Sequence, residues 1–300
     1  MIAGMGDYLT LDDGRTLEHL VGGDPDGFPL VYHSGTPSAA VEDPALFGAA
    51  ASAGLRLVTY SRPGYGHSTP RGGPDHLVAP VLADADDTAA LLDHLGIGDF
   101  VTLGWSGGGP RALACGAAMP GRCRAVSVLA GVAPRDAAGL DWLAGMGEEN
   151  VRDFEAVEAG REVYRPIAEQ QAAELGAVTA DDIVAAFGDL VDEVDAGALT
   201  GDFAETVAES FRRAMQQGPV GMVGDNLQIV APWGFDVADL RVPVSIWQGE
   251  HDRMVPYAHG QWLAASIPGA RPHLFADEGH LSLVARIDDI LADLKDLAGL

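Results

Sequence analysis

The stretch from Phe100 to Pro110 limits the possible folds of this chain more than any other. An apolar, β-branched run, Phe100-Val101-Thr102-Leu103, ends in Gly104-Trp105-Ser106-Gly107-Gly108, and the alanine-rich segment Arg111 to Met119 follows with helical character. This reads as strand, sharp turn and helix. A serine in such a Gly-x-Ser-x-Gly turn is forced into a tight backbone conformation, and Gly104 and Gly108 must stay small so that strand and helix can approach each other. The turn exposes the Ser106 hydroxyl at a helix N-terminus, where backbone N–H groups, that of Gly107 first, can face a developing oxyanion.

The segments around this turn repeat its alternation. Tyr8 to Thr10 and Thr16 to Val21 flank the turn signal Asp12-Asp13-Gly14 and read as an antiparallel hairpin at a sheet edge. Leu30-Val31-Tyr32 is a short buried strand running into His33-Ser34-Gly35-Thr36-Pro37, and Leu55 to Tyr60 is the next, with a short helix at Ala45 to Ala53 between them. Val81 to Leu95 has apolar residues at helical spacing, with Asp84, Asp86 and Asp87 where the helix dipole favours acid. Arg124 to Leu129 is another strand. This order implies a mostly parallel sheet with right-handed crossovers and helices on both faces.

Between residues 134 and 223 the alternation stops, and the segment reads as several helices rich in acids, among them Glu148, Glu149, Asp153, Glu155, Asp181, Asp182, Asp192 and Glu193. An inserted helical lid is expected there, its charges mostly on a solvated face. The core is then 1–133 and 224–300. In its second part Pro243 to Gln248 is a strand, Ala258 to Ser266 a helix, Pro272 to Phe275 a strand and Leu281 to Leu297 an amphipathic helix.

Charge and composition exclude several functions. Forty-four acidic against 18 basic residues give a formal charge of −26, which makes nucleic acid and anionic membranes poor partners. No apolar run approaches the ~18 residues of a membrane span. Met1 to Asp7 has neither a basic n-region nor an apolar h-region, so a cytoplasmic location is expected. The single lysine, Lys295, lies in the terminal helix, away from any site for Schiff-base chemistry. Cys115 and Cys123 read as buried free thiols, and the nine histidines show no metal-ligand spacing, so neither a metal nor a cofactor is expected. Nothing in the sequence specifies an oligomeric state.

In an open parallel sheet, reactive groups collect in loops beyond the carboxyl ends of the strands. Two such loops carry partners for Ser106: Gly249-Glu250-His251-Asp252 and Asp277-Glu278-Gly279-His280. The order Ser106, Asp252, His280 is that of nucleophile, acid and histidine on this architecture. Asp252 competes with Glu250 and Asp277 for the acid's place; its position three residues after Gly249 favours it.

With these pieces the chain resembles the α/β-hydrolase superfamily over nearly its whole length: Gly35-Thr36-Pro37, Arg62-Pro63-Gly64-Tyr65-Gly66-His67-Ser68, Gly104 to Gly108, Gly249 to Asp252 and Gly279-His280. Two positions depart from the usual pattern: Ser34 stands where a His-Gly pair is common, and Ser61 where an aspartate often opens the loop. The resemblance implies an α/β-hydrolase fold, a serine-nucleophile hydrolase with a helical lid, and Thr36 as a second oxyanion donor beside Gly107.

The chemistry also follows from the residues. A serine hydroxyl is a weak nucleophile near neutral pH, so a base must take its proton during attack, and an imidazole with a pKa near ~6.5 suits that duty. His280 is the expected base, with Asp252 holding its tautomer and stabilising the cation that forms. Gly35 and Trp105 are expected to line the substrate pocket. The reading is an acyl-enzyme hydrolase of a small or medium carboxylic ester, a small-molecule substrate. Its rivals are an aminopeptidase or amidase whose lid glutamates grip an ammonium, and a ligand-binding receptor with slow hydrolysis.

Overall fold

Along each central strand successive side chains point to opposite faces, and here both sets are apolar, so the sheet is covered on each side. The computed structural model describes residues 6–72 and 78–300; Met1 to Met5, part of the stretch read for a leader, lie outside them. Strands β1 (Asp7–Thr10), β2 (Thr16–Gly23), β3 (Phe28–His33), β4 (Leu55–Tyr60), β5 (Phe100–Trp105), β6 (Cys123–Leu129), β7 (Val244–Gly249) and β8 (Arg271–Phe275) form one sheet. Its order is β1-β2-β4-β3-β5-β6-β7-β8. The β1–β2 and β2–β4 pairs are antiparallel and every later pair is parallel. The first two strands therefore form the edge hairpin that the Asp-Asp-Gly turn predicts.

The alternation divides the core in two. Leu30, Leu55, Leu57, Val101 and Leu103 face one side, where α1 (Pro44–Ser52) supplies Leu46 and Ala50 and α11 (Ile287–Ala298) supplies Ile290, Leu291 and Leu294. Val31, Val58, Val126, Val128, Val244 and Ile246 face the other. There they meet Leu91 and Leu92 of α2 (Asp84–His94), Ala112 and Leu113 of α3 (Gly109–Ala118) and Leu263 of α10 (Tyr257–Ser266). Each buried Leu or Val side chain contributes roughly 1.5–3 kcal/mol.

Between β6 and β7 the chain forms only helices: α4 (Glu148–Ala159), α5 (Arg161–Leu175), α6 (Ile183–Phe187), α7 (Glu193–Ala198), α8 (Gly201–Ala214) and α9 (Val220–Val230). These build apolar clusters of their own over the carboxyl end of the sheet. One joins Tyr164, Ala168 and Met222 to Tyr65; another joins Phe187, Val207 and Phe211 to Leu281 of the loop after β8. Their acids do not all lie on one solvated face. Glu148, Glu155, Asp181, Asp182 and Glu193 are exposed, Glu149 and Asp192 are half-buried, and Asp153 is buried.

Two local features differ from the sequence reading. The Val81–Leu95 segment begins as a 3₁₀ turn, Val81–Ala83, before α2, whose first turn carries Asp84, Asp86 and Asp87 as read, but Asp84 and Asp87 are also buried ion-pair partners. Asp84 pairs with Arg71 and Arg111, and Asp87 with Arg15 and Arg71. The terminal helix likewise starts with a 3₁₀ turn, Ser282–Arg286, which lets the chain leave the His280 loop before α11 begins. Cys115 and Cys123 are both buried and unbridged, and burial pushes the Cys115 thiol up to about 12.

Candidate active site

Ser106 sits between β5 and α3 with φ +56, a left-handed conformation that costs a non-glycine residue on the order of 1–3 kcal/mol. The surroundings hold it there. A Cβ on Gly104 would lie 2.3 Å from the Gly108 oxygen, and one on Gly108 would lie 2.0 Å from the His33 oxygen, so strand, turn and oxyanion-side loop close up only with glycine at both places. Gly35 allows a third approach, since its Cβ would stand 3.3 Å from Ser106 Cβ.

The loop after β3 is held from beneath by Arg62. Its guanidinium donates to the backbone oxygens of Ser34 (2.6 Å) and Gly35 (2.7 Å). The N–H and C=O of a trans peptide unit point in opposite directions, so a Gly35 carbonyl turned to Arg62 turns the Thr36 N–H the other way. That side is the one facing Gly107, whose Cβ position is 3.3 Å from the Thr36 nitrogen. The Thr36 backbone nitrogen and Gly107 are thus close neighbours, and both residues line the second cleft with Ser106. Arg62 is in turn paired with Asp225 of α9 at 2.6 Å, and Asp225 also accepts from Arg111, Tyr65 and the Thr36 hydroxyl. Burial opposes the Asp225 charge, but Arg62 and Arg111 outweigh it and hold the carboxyl down to about 2.

On the other side His280 and Asp252 are both buried, with His280 Nδ1 and Asp252 Oδ2 2.7 Å apart. The remaining Asp252 contacts come from donors: Met254 N (2.9 Å) and Val255 N (2.7 Å) on Oδ1, and Gln248 Nε2 (2.8 Å) on Oδ2. A carboxylate surrounded in this way accepts a proton-bearing Nδ1, which leaves His280 Nε2 as the free acceptor. Burial opposes the imidazolium, yet the Asp252 charge and hydrogen bond more than offset it, and the His280 pKa is raised above 6.5. Burial lifts Asp252 against the pull of His280. The competing acids Glu250 and Asp277 are both exposed.

Two clefts meet at Ser106. The first is apolar, lined by Gly35, Trp105, Phe187, Phe203, Val207 and His280 among others; the Trp105 ring lies 5.9 Å from the His280 ring and its Nε1 donates to the His280 oxygen at 3.3 Å. The second contains Gly107 but not His280, and its wall includes Glu149, Asp153, Tyr164, Gln171, Glu174 and Asn226. Thr36, Ser106, Phe187, Phe211 and Met254 belong to both. Of the lid glutamates, Glu149 and Glu174 line the second cleft, whereas Glu148 is exposed. The roles of Arg62, Asp225 and Gln248, and the aromatic wall from α6 and α8, carry no local sequence signal. His259 is structural, bonded to the Ala133 nitrogen and the Trp142 oxygen. Among the described residues no group of three or more His, Cys, Asp or Glu is placed to hold a metal ion.

The sheet order, the strained serine and the loops around it define an α/β protein of the hydrolase type. The family model for the alpha/beta hydrolase fold matches residues 29–286, and the chain belongs to that family. It is 29% identical over 252 residues to a pimeloyl-[acyl-carrier protein] methyl ester esterase of Aromatoleum aromaticum, covering 82% of this chain and 88% of that one. It is 28% identical to a dihydrolipoyllysine-residue acetyltransferase component of an acetoin cleaving system from Cupriavidus necator, covering 81% of this chain but 56% of the relative. Among solved structures, the enol-lactonase of Burkholderia xenovorans LB400 superposes with a TM-score of 0.69 over 98% of this chain and all of that one, at 19% identity. That last likeness is one of fold alone. No helix among the described residues is long and apolar enough to cross a membrane.

Proposed function

We propose that this protein hydrolyses a small or medium carboxylic ester through an acyl-enzyme on Ser106. The observation that carries the reading is the buried His280–Asp252 contact of 2.7 Å in a loop that shares a cleft with a serine held at φ +56. His280 Nε2 takes the Ser106 proton as the hydroxyl oxygen attacks the carbonyl carbon, and Asp252 stabilises the imidazolium. The Gly107 and Thr36 N–H groups bind the oxyanion, each such donor being worth roughly 3 to 4 kcal/mol of barrier. The imidazolium then protonates the leaving alcohol, water attacks the acyl-enzyme with His280 again as base, and the carboxylic acid leaves. The helices between β6 and β7, residues 134–223 in the sequence reading, act as the lid that keeps bulk water from this exchange.

His280 can protonate only a leaving group within its reach, and it lines the apolar cleft alone. The alcohol therefore occupies the aromatic side, and the acyl group extends past Gly107 toward Asn226, Tyr164 and the carboxylates. The methyl ester esterase among the relatives accords with this chemistry. The carboxylates of the acyl-side cleft favour one rival, an aminopeptidase or amidase that grips a substrate ammonium there. A panel of p-nitrophenyl esters of rising chain length, run beside aminoacyl anilides, decides between them. A fluorophosphonate should label the protein once, at Ser106, and Ser106→Ala should abolish labelling and lower kcat by at least ~10³-fold. Labelling that survives the substitution would falsify the assignment.

A further inference from the structure

Helix α7 is only six residues long, yet it brings a fully buried carboxylate to the chain segment that carries His280. Asp195 Oδ2 accepts from the His280 backbone N–H at 2.8 Å, and Oδ1 accepts from those of Leu281 (2.8 Å) and Ser282 (3.0 Å). The contact requires glycine before the histidine, because a Cβ on Gly279 would lie 2.3 Å from Asp195 Oδ1. The helix is anchored beside it: Asp192 caps α7 through the Val194 and Asp195 nitrogens and holds His251, next to Asp252, at 2.7 Å. Three consecutive amides converging on one carboxylate set the direction in which the chain passes through residue 280, and so the direction of its imidazole.

We propose that Asp195 is a positioning residue for His280, so that the helices between β6 and β7 orient the base as well as covering it. The inference rests on His280 being the base. The Asp195 charge also acts on the imidazole directly, favouring its cationic form as Asp252 does. The charged and titratable groups facing His280 are Asp252 from the loop after β7 and Asp195 from α7; Glu278 of its own loop is occupied by Ser282 and Arg286. In the native protein kcat/KM should rise with pH through an apparent pKa above 6.5 and then level off, as a base raised by its neighbours requires.

Asp195→Asn keeps the shape and one acceptor oxygen but loses the charge, and Asp195→Ala loses both. The expected order of kcat is native, Asn, Ala, with Ala lower by on the order of 10²-fold because a misplaced base is that costly. KM should stay within about twofold, since Asp195 does not line the substrate clefts. Removing a negative charge lowers the imidazole pKa, so the pH profile of Asp195→Asn should move to lower pH, which a purely scaffolding role would not cause. Gly279→Ala tests the same contact from the other side and should lower kcat with KM held. Folded Asn and Ala variants with native kcat and native pH profile overturn the proposal. So does failure of all three variants to fold, because the contact then serves the fold and not the base. His280→Ala separates this from the parent reading: if that variant stays active, His280 is not the base, whatever Asp195 does.

Discussion

The two sides of Ser106 are both held by buried aspartates, but the charges are managed in opposite ways. Beneath the oxyanion-side loop, Asp225 sits among Arg62 and Arg111, and the pairing continues through Asp84 and Arg71 to Asp87 and Arg15. Every charge there has an opposite neighbour, and the result is a loop held in one shape by Arg62 on the Ser34 and Gly35 carbonyls. On the histidine side, Asp252 and Asp195 accept from backbone amides, one glutamine and the imidazole itself. No arginine neutralises them. The first arrangement gives geometry and little net field, whereas the second leaves a negative field where the proposed mechanism forms an imidazolium. Breaking the first should therefore show up mainly in stability, and breaking the second mainly in rate.

The largest effect belongs on the histidine side. Asp252→Asn should leave the fold intact and lower kcat by about 10⁴-fold, because an amide cannot stabilise the imidazolium and can select the wrong tautomer. Steady-state kinetics beside a thermal melt measure both halves of the claim. If Asp252→Asn stays nearly active while Asp277→Asn or Glu250→Gln is dead, the acid lies elsewhere in the loop and the comparison between the two sides fails.

Removing the charge of Asp225 should do the reverse. Asp225→Asn leaves Arg62 and Arg111 buried against a neutral group, and breaking a buried pair in this way costs about 3–5 kcal/mol, measurable by urea unfolding. The same group makes stability sensitive to acid. Its folded pKa of about 2 lies below the ordinary 3.8, so its contribution is complete above about pH 4 and is lost as pH falls through 2. An Asp225→Asn protein as stable as the native one would show that the pairing does not hold the loop.

The contrast also explains what could be read in the sequence. The sheet, its edge hairpin and the elbow were legible because they rest on local signals: apolar runs of four to six residues, Asp-Asp-Gly, Gly-x-Ser-x-Gly. Asp252 and His280 were legible because strand ends on a parallel sheet share one edge. Asp195 and Asp225 were not, since each acts on residues far along the chain and neither sits in a motif. Asp84 and Asp87 show how a correct local rule is overridden: acids at a helix start satisfy the dipole, but here they are drawn into the core by Arg71, Arg111 and Arg15. The relevant distances exist only after folding.

The smallest effect concerns the second cleft, the proposed acyl side, where among the described residues three carboxylates share a single arginine, Arg152, which pairs with Glu149 and Asp153. Glu149, Asp153 and Glu174 line the cleft, and burial raises the pKa of Glu149 and of Asp153. Two like charges about 4 Å apart repel by roughly 1 kcal/mol in a watery setting, or about fivefold in kcat/KM. A neutral ester should therefore outcompete one of equal length that carries a terminal carboxylate on its acyl group by about that factor. Added salt should narrow the gap, because charges open to solvent are screened within ~8 to 10 Å at moderate ionic strength. Lowering the pH should narrow it too, because the raised pKa values let Glu149 and Asp153 take up protons sooner than ordinary carboxylates do. Competition assays at two salt concentrations and two pH values read all of this. If a cationic aminoacyl anilide proves the best substrate and Glu149→Gln raises its KM alone, the cleft carboxylates are ligands for an ammonium, and the peptidase reading replaces the esterase one.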